Sequence, residues 1–188
     1  MIAELITTLL LIRHGQTDWN SQGRVQGHIN IPLNEQGLAQ AKDLAKKMEL
    51  KHPDLAVIYS SDLDRAYETA METAKKFDLS VEKRPLLREC HYGLADGLTY
   101  QEKDSRWGHG GLIPGAETAD ELLQRVQADL IEIASKHPGK KIAVFSHGRT
   151  IQTFVNSVFP ECPRAIFNCT IVEMRYGPDF QFVGLENL

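Results

Sequence analysis

A chain of 188 residues, 42% of them apolar and 24% charged, has room for a sizeable core and the composition of an ordinary folded protein, which excludes extended disorder. A formal charge of −4, from 25 acidic and 21 basic residues, argues against a surface built to coat nucleic acid, although net charge is blind to a local basic pocket. The longest apolar run, Leu5 to Ile12, holds two threonines, is too short to cross a bilayer and has no flanks of a secretion signal; with three cysteines and no Cys-x-x-Cys pair, a reduced, cytoplasmic protein with no membrane partner is expected.

Elements alternate along the chain. Thr8 to Ile12 is a continuous apolar run, as in a strand buried on both faces. Asn34 then caps a helical pattern in which Leu38, Ala41, Leu44, Ala45 and Met48 share a face, closed by His52-Pro53. Leu55 to Tyr59 is a second buried run. Ser61 with Asp64 reads as a variant capping box opening a helix whose stripe is Ala66, Ala70, Ala74 and Phe77. Ser80 to Arg84 is read as a short third strand. From Leu94 to Gly115 there is no period and there are five glycines, so an irregular segment with one short helix is expected, a lid-like insertion at about 94–116 within a single domain spanning 1–188. Thr118 and Glu121 form another capping box, and Leu122, Val126, Ile133 and Ala134 carry a helix to His137-Pro138. Ile142 to Phe145 is the next buried strand, followed by a helix from about Thr150 to Val158 and by a terminal pair of strands, Cys169 to Tyr176 and Gln181 to Leu185. His52 and His137, each before a proline, read as helix C-terminal caps. This alternation implies an α/β fold, a three-layer sandwich with a mostly parallel central sheet and helices on both faces.

In such a sheet, ligands sit beyond the carboxyl ends of the strands. Arg13, His14 and Gly15 follow the first buried run; Ser60 and Ser61, then Arg65 inside the next helix, follow the second; Ser146, His147 and Gly148 follow the fourth. Arg65 falls in the first turn of its helix, where a cation opposes the helix dipole unless an anion lies between it and the free N–H groups. Two arginines and two histidines converging on one rim point to phosphate, the alternative being that each arginine makes an ordinary salt bridge. A histidine there can act as a base, a cation or a nucleophile. As a nucleophile it needs its second ring nitrogen fixed by a backbone carbonyl. Glu89, just after the third strand, either donates a proton to a leaving alkoxide or pairs with a nearby arginine.

Taken together, these residues resemble the histidine phosphatase superfamily, the phosphoglycerate-mutase-like fold. Leu11-Ile12-Arg13-His14-Gly15-Gln16-Thr17 resembles its Arg-His-Gly signature, and Trp19-Asn20, Gly23-Arg24-Val25-Gln26-Gly27, Pro32-Leu33-Asn34 and Gly37 continue the likeness. Tyr59 to Leu63 with Arg65-Ala66, Leu87-Arg88-Glu89 with Gly93 and Gly97, Pro114 to Thr118 with Arg125, and Ser146-His147-Gly148 follow in order. The resemblance implies His14 as nucleophile, Arg13, Arg65 and His147 holding the phosphoryl group, Glu89 as proton donor and then base, and Asn20, Gln26, Thr17 and Gly148 on the substrate side. It implies no metal and no cofactor, because arginines and histidines take the place of a metal. Arg149 departs from the Gly or Asn usual after Gly148, Gln152 replaces a usual arginine, and Leu94-Ala95-Asp96 replaces an aromatic-acid pair.

Two activities share a phosphohistidine. A mutase must keep water from it and resembles this chain less, since only 58 positions separate Glu89 from His147. The expected function is a phosphatase of small phosphate monoesters acting on a phosphorylated metabolite, with a bisphosphoglycerate-dependent mutase and a non-catalytic phosphate-binding protein as alternatives; oligomeric state is open. Arg106, Trp107 and His109 are expected to shape substrate choice from the lid, an idea that unchanged rates of a Trp107→Ala variant on every substrate would retire.

Overall fold

The structure, a computed structural model, describes residues 5–162 and 165–187. Its elements in chain order are β1 (Thr7–Arg13), α1 (Asp18–Ser21), α2 (Glu35–Lys51), β2 (Leu55–Ser60), α3 (Asp64–Phe77), β3 (Val81–Lys83), α4 (Tyr100–Trp107), α5 (Ala119–Lys136), β4 (Lys141–Ser146), α6 (Gly148–Val158), β5 (Ile171–Tyr176) and β6 (Phe180–Glu186), with 3-10 turns at Pro85–Leu87 and Gly93–Ala95. The strands form one sheet in the order β3-β2-β4-β1-β5-β6. β3, β2, β4 and β1 run parallel, β5 pairs antiparallel with β1, and β6 antiparallel with β5.

Period-2 alternation in fully buried strands makes the layers. In β1, Leu9 and Leu11 pack into one core with Leu122, Val126 and Ile133 of α5 and Ile151 and Phe154 of α6. Leu10 and Ile12 pack into the other core with Leu44 and Met48 of α2 and Ala70 and Ala74 of α3. β4 divides the same way, Ile142 and Val144 to the first, Ala143 and Phe145 to the second. The expected α/β sandwich with a mostly parallel sheet is therefore the observed fold.

Local details differ from the sequence reading. Ser61 does not cap α3: Leu63 holds the cap position with no side-chain hydrogen bond, and the fully buried Ser61 hydroxyl lies beside His147 instead. Leu38 is 40% exposed, because the buried stripe of α2 runs through Gly37, Ala41, Leu44, Ala45 and Met48. α6 begins at Gly148 with His147 in the cap position, two residues before the expected start. α1, capped by Thr17, was not foreseen, and a four-residue helix has no period to read. The short helix anticipated in the irregular segment is α4, and His52 and His137 stand at the C-caps of α2 and α5.

Candidate active site

Because β1, β2 and β4 are parallel neighbours, their C-terminal ends lie on one rim, and backbone pairing continues past them. His14 N donates to Ser146 O (3.1 Å) and Ser61 N to Phe145 O (2.9 Å). The turn after β1 is held closely: Gly15 N donates to Thr69 Oγ1 of α3 at 3.0 Å, and a Cβ on Gly15 would meet Gly37 O at 2.6 Å. Glycine is required there by backbone packing against backbone. His14 is 1% exposed. Its Nδ1–H donates to Gly15 O at 2.6 Å, which leaves Nε2 with its lone pair. Burial, then the charges of Arg65 and Arg13, hold its pKa well below the ordinary imidazole value, so the ring is neutral.

His147 is fully buried, with its ring centroid 5.2 Å from that of His14. Ser61 Oγ accepts from Leu63 N (3.3 Å) and lies 2.9 Å from His147 Nε2. The tautomer that suits these contacts has the Ser61 hydroxyl donating to Nε2 and a proton on Nδ1, which has no partner among the described residues. Burial, then Arg65 and His14, push this imidazole also well below its ordinary range.

Among the described residues, neither arginine makes the salt bridge left open above. Arg65, the second residue of α3 and 0% exposed, donates Nη1 to Ile29 O (2.9 Å) and Nη2 to Gly27 O (2.8 Å). Arg13 donates Nη1 to Ile166 O (2.6 Å). The bare Cα of Gly148 lets the Arg13 guanidinium lie against it, since a Cβ there would stand 3.2 Å from Nε. Burial lowers both guanidinium pKa values, that of Arg65 to about 10, while the charge of Glu89 pulls each back up. Among the described residues, Arg13 Nε, Arg65 Nε and His147 Nδ1 are all buried without a hydrogen-bond partner. Buried donors are rarely orphaned, and the charges of Arg65 and Arg13 both act on the His147 ring.

Among the described residues, Glu89 does not pair with an arginine side chain. Its Oε1 accepts from Cys90 N (2.9 Å), Thr150 N (3.1 Å) and Thr150 Oγ1 (3.0 Å), and its Oε2 from Arg149 N (3.2 Å). The carboxyl therefore sits on the first turn of α6, directly beyond His147. His28 Nε2 donates to Glu89 O at 2.8 Å.

Of the residues expected on the substrate side, Thr17 is fully buried and caps α1 in a reciprocal box with Asn20, and its hydroxyl lies 3.0 Å from Gln26 Oε1. Asn168, not among the expected site residues, donates Nδ2 to His14 O at 2.9 Å and reaches Asn20 Oδ1 at 3.4 Å, so it braces the backbone at His14. The adjoining Cys169 takes a left-handed φ of 59° while its N–H bonds Arg13 O at 2.9 Å. Tyr100, at the start of α4, lies close enough to Arg13 and Glu89 for their charges to act on its hydroxyl, whose pKa burial raises. Arg106 and His109 are exposed, and His109 faces Asp104 of its own segment. His91 contacts Gly115 O and stacks edge-on to His28; among the described residues no group of three or more His, Cys, Asp or Glu side chains could hold a metal ion.

Comparison with known proteins identifies a family. Residues 9–186 match the histidine phosphatase superfamily (branch 1). Phosphoglycerate mutase-like protein 4 of Arabidopsis thaliana is 35% identical over 181 residues, covering 89% of this chain and 78% of that one. Phosphoserine phosphatase 1 of Hydrogenobacter thermophilus is 36% identical over 149 residues, covering 74% and 70%. In fold, a phosphoglycerate mutase from Bacillus anthracis superposes with a TM-score of 0.88 at 24% identity, over 96% of this chain and 92% of that one. A neutral buried imidazole among orphaned donors, on a sheet of this topology and in a chain so matched, leads to one assignment: this protein belongs to branch 1 of the histidine phosphatase superfamily.

Proposed function

We propose that the chain hydrolyses small phosphate monoesters, without a metal, through a phosphohistidine at His14. The observation that carries this reading is a set of three buried donors unpartnered among the described residues, Arg13 Nε, Arg65 Nε and His147 Nδ1, beside an imidazole kept neutral by burial and by two guanidinium groups. Phosphate oxygens are the acceptors that such a cup lacks. The His14 Nε2 lone pair forms the N–P bond as the P–O bond to the leaving group breaks in line with it. The three non-bridging oxygens stay on Arg13, Arg65 and His147, and Gly15 O steadies the growing positive charge of the ring through Nδ1–H. Glu89 gives its proton to the departing alkoxide. It then takes one from water, whose oxygen attacks phosphorus, releasing inorganic phosphate and restoring neutral His14.

The leaving group is read as small and hydroxyl-bearing, with phosphoserine the first candidate because a relative of 36% identity carries that activity in its name. Mutase activity is the second reading, favoured by the relative named mutase-like. The test uses p-nitrophenyl phosphate, phosphoserine and 3-phosphoglycerate, the last with and without its bisphosphate, each with and without chelator, beside His14→Ala. Phosphate release by wild type that survives chelator and falls at least about 10³-fold in His14→Ala is expected. Interconversion of phosphoglycerates without phosphate release would replace the hydrolase reading by the mutase one, and phosphate binding with no turnover would leave a binding protein.

A further inference from the structure

Glu89 lies between the two 3-10 turns, in a stretch that joins no strand ladder, so its backbone carbonyls need side-chain donors. Ser146 Oγ donates to Leu87 O, Thr150 Oγ1 to Arg88 O and His28 Nε2 to Glu89 O, and one guanidinium supplies three more bonds. Arg125, two turns into α5, donates Nη1 to Leu86 O (2.6 Å) and Arg88 O (2.9 Å), and Nη2 to Glu89 O (2.9 Å). Its other edge forks the Glu117 carboxylate, Nε to Oε1 at 2.6 Å and Nη2 to Oε2 at 2.9 Å. Glu117 in turn grips the far side of the stretch: its Oε2 accepts from His91 N at 3.3 Å, and its N–H donates to His91 O at 2.8 Å. Both side chains are largely buried, at 18% and 14% exposure. Burial pushes the Glu117 carboxyl up, but the hydrogen bonds and charge of Arg125 outweigh it and hold the group below the ordinary carboxylate range.

Resting on the reading of Glu89 as proton donor, we propose that the Arg125–Glu117 pair is the positioning device for that step, a clamp that fixes the backbone on both sides of Glu89 so that its carboxyl meets the leaving oxygen. Neither residue donates to or accepts from Arg13, His14, Arg65 or His147 among the described residues; their hydrogen bonds go to each other and to the stretch that carries Glu89. Lysine cannot replace Arg125, because a point charge cannot span three carbonyls and fork a carboxylate at once. A displacement of about 1 Å at a reacting group costs on the order of 100-fold.

The test compares kcat/KM for phenyl phosphate, whose leaving group needs the proton, with that for p-nitrophenyl phosphate, whose leaving group departs without it. Wild type, Arg125→Lys, Glu117→Gln and Glu89→Gln are measured, each checked for folding by near-UV circular dichroism. Arg125→Lys and Glu117→Gln are expected to lose about 10- to 100-fold on phenyl phosphate and less than about three-fold on p-nitrophenyl phosphate, with vanadate affinity unchanged. Glu89→Gln is expected to show the same selectivity, more strongly. Selective loss in Glu89→Gln with equal losses, or none, on both esters in the two clamp variants would overturn the clamp alone. Equal losses in Glu89→Gln would overturn the proton-donor reading, and the clamp with it.

Discussion

His14 and His147 are neutral in the folded chain because burial and two guanidinium groups oppose their protonation. Unfolded, both return to an ordinary imidazole value near 6.5. Below that pH the unfolded chain binds more protons than the folded one. The stability these residues allow is thus fully present above pH ~6.5 and declines as pH falls, by up to about 1.4 kcal/mol per pH unit for each imidazole. Urea unfolding at pH 7.5, 6.5 and 5.5 is expected to show that decline in wild type and a flatter dependence in a His14→Asn, His147→Asn double variant. Parallel curves would mean that neither ring is held neutral. Ser61 makes a second residue-scale case. Its hydroxyl reads locally as a helix cap, yet it serves a histidine 86 positions away. Ser61→Ala removes the hydrogen bond that selects the His147 tautomer, and about a ten-fold loss of kcat/KM on p-nitrophenyl phosphate is expected, with thermal stability little changed.

At the scale of elements, the site depends on how closely the turn after β1 and the start of α2 approach. A Cβ on Gly37 would come within 2.0 Å of Gln16 O, a backbone atom in a turn already fixed by Gly15 and Thr69. Gly37→Ala is therefore expected to cost about 1–3 kcal/mol in unfolding free energy and to lower turnover by shifting His14. Equal denaturation midpoints for the two proteins would refute the contact. Gly37 showed in the sequence only as part of a resemblance; why glycine is needed became visible when two stretches of backbone met. The first turns of α3 and α6 are used in opposite ways. α3 opens with the cation Arg65 among orphaned donors, as its unfavourable sequence position foretold. α6 has no acid in its own first turn, and that place is taken by Glu89 from another part of the chain.

Across the whole molecule, the sheet separates two cores, and the candidate rim sits at the ends of strands buried between them. Phe145, fully buried between β4 and the α2–α3 layer, lies one residue from Ser146 and two from His147. Phe145→Ala is expected to destabilise the protein by about 3–5 kcal/mol, read by denaturant unfolding, and to reduce activity in proportion to the fraction unfolded. On the far side, Arg84, just past β3, is tied to the fully buried Asp129 of α5, joining the sheet edge to the other helical layer.

The sequence by itself determined the layers and the rim. A period of 2 in fully apolar strands and of 3.6 in amphipathic helices is written in neighbouring residues, and alternation of the two dictates parallel strands whose ends deliver Arg13, His14, Ser61 and His147 to one edge. It also determined that Arg65 would be a cation at a helix start. Only the tertiary structure decided who holds those groups. The seat of Glu89 on α6, the fork of Arg125 on carbonyls 36 to 39 positions away, and the Asn168 bond to His14 O across 154 positions join segments by side-chain-to-backbone contacts. Such contacts have no period. They depend on where two distant backbones come to rest, and local pattern carries no record of that.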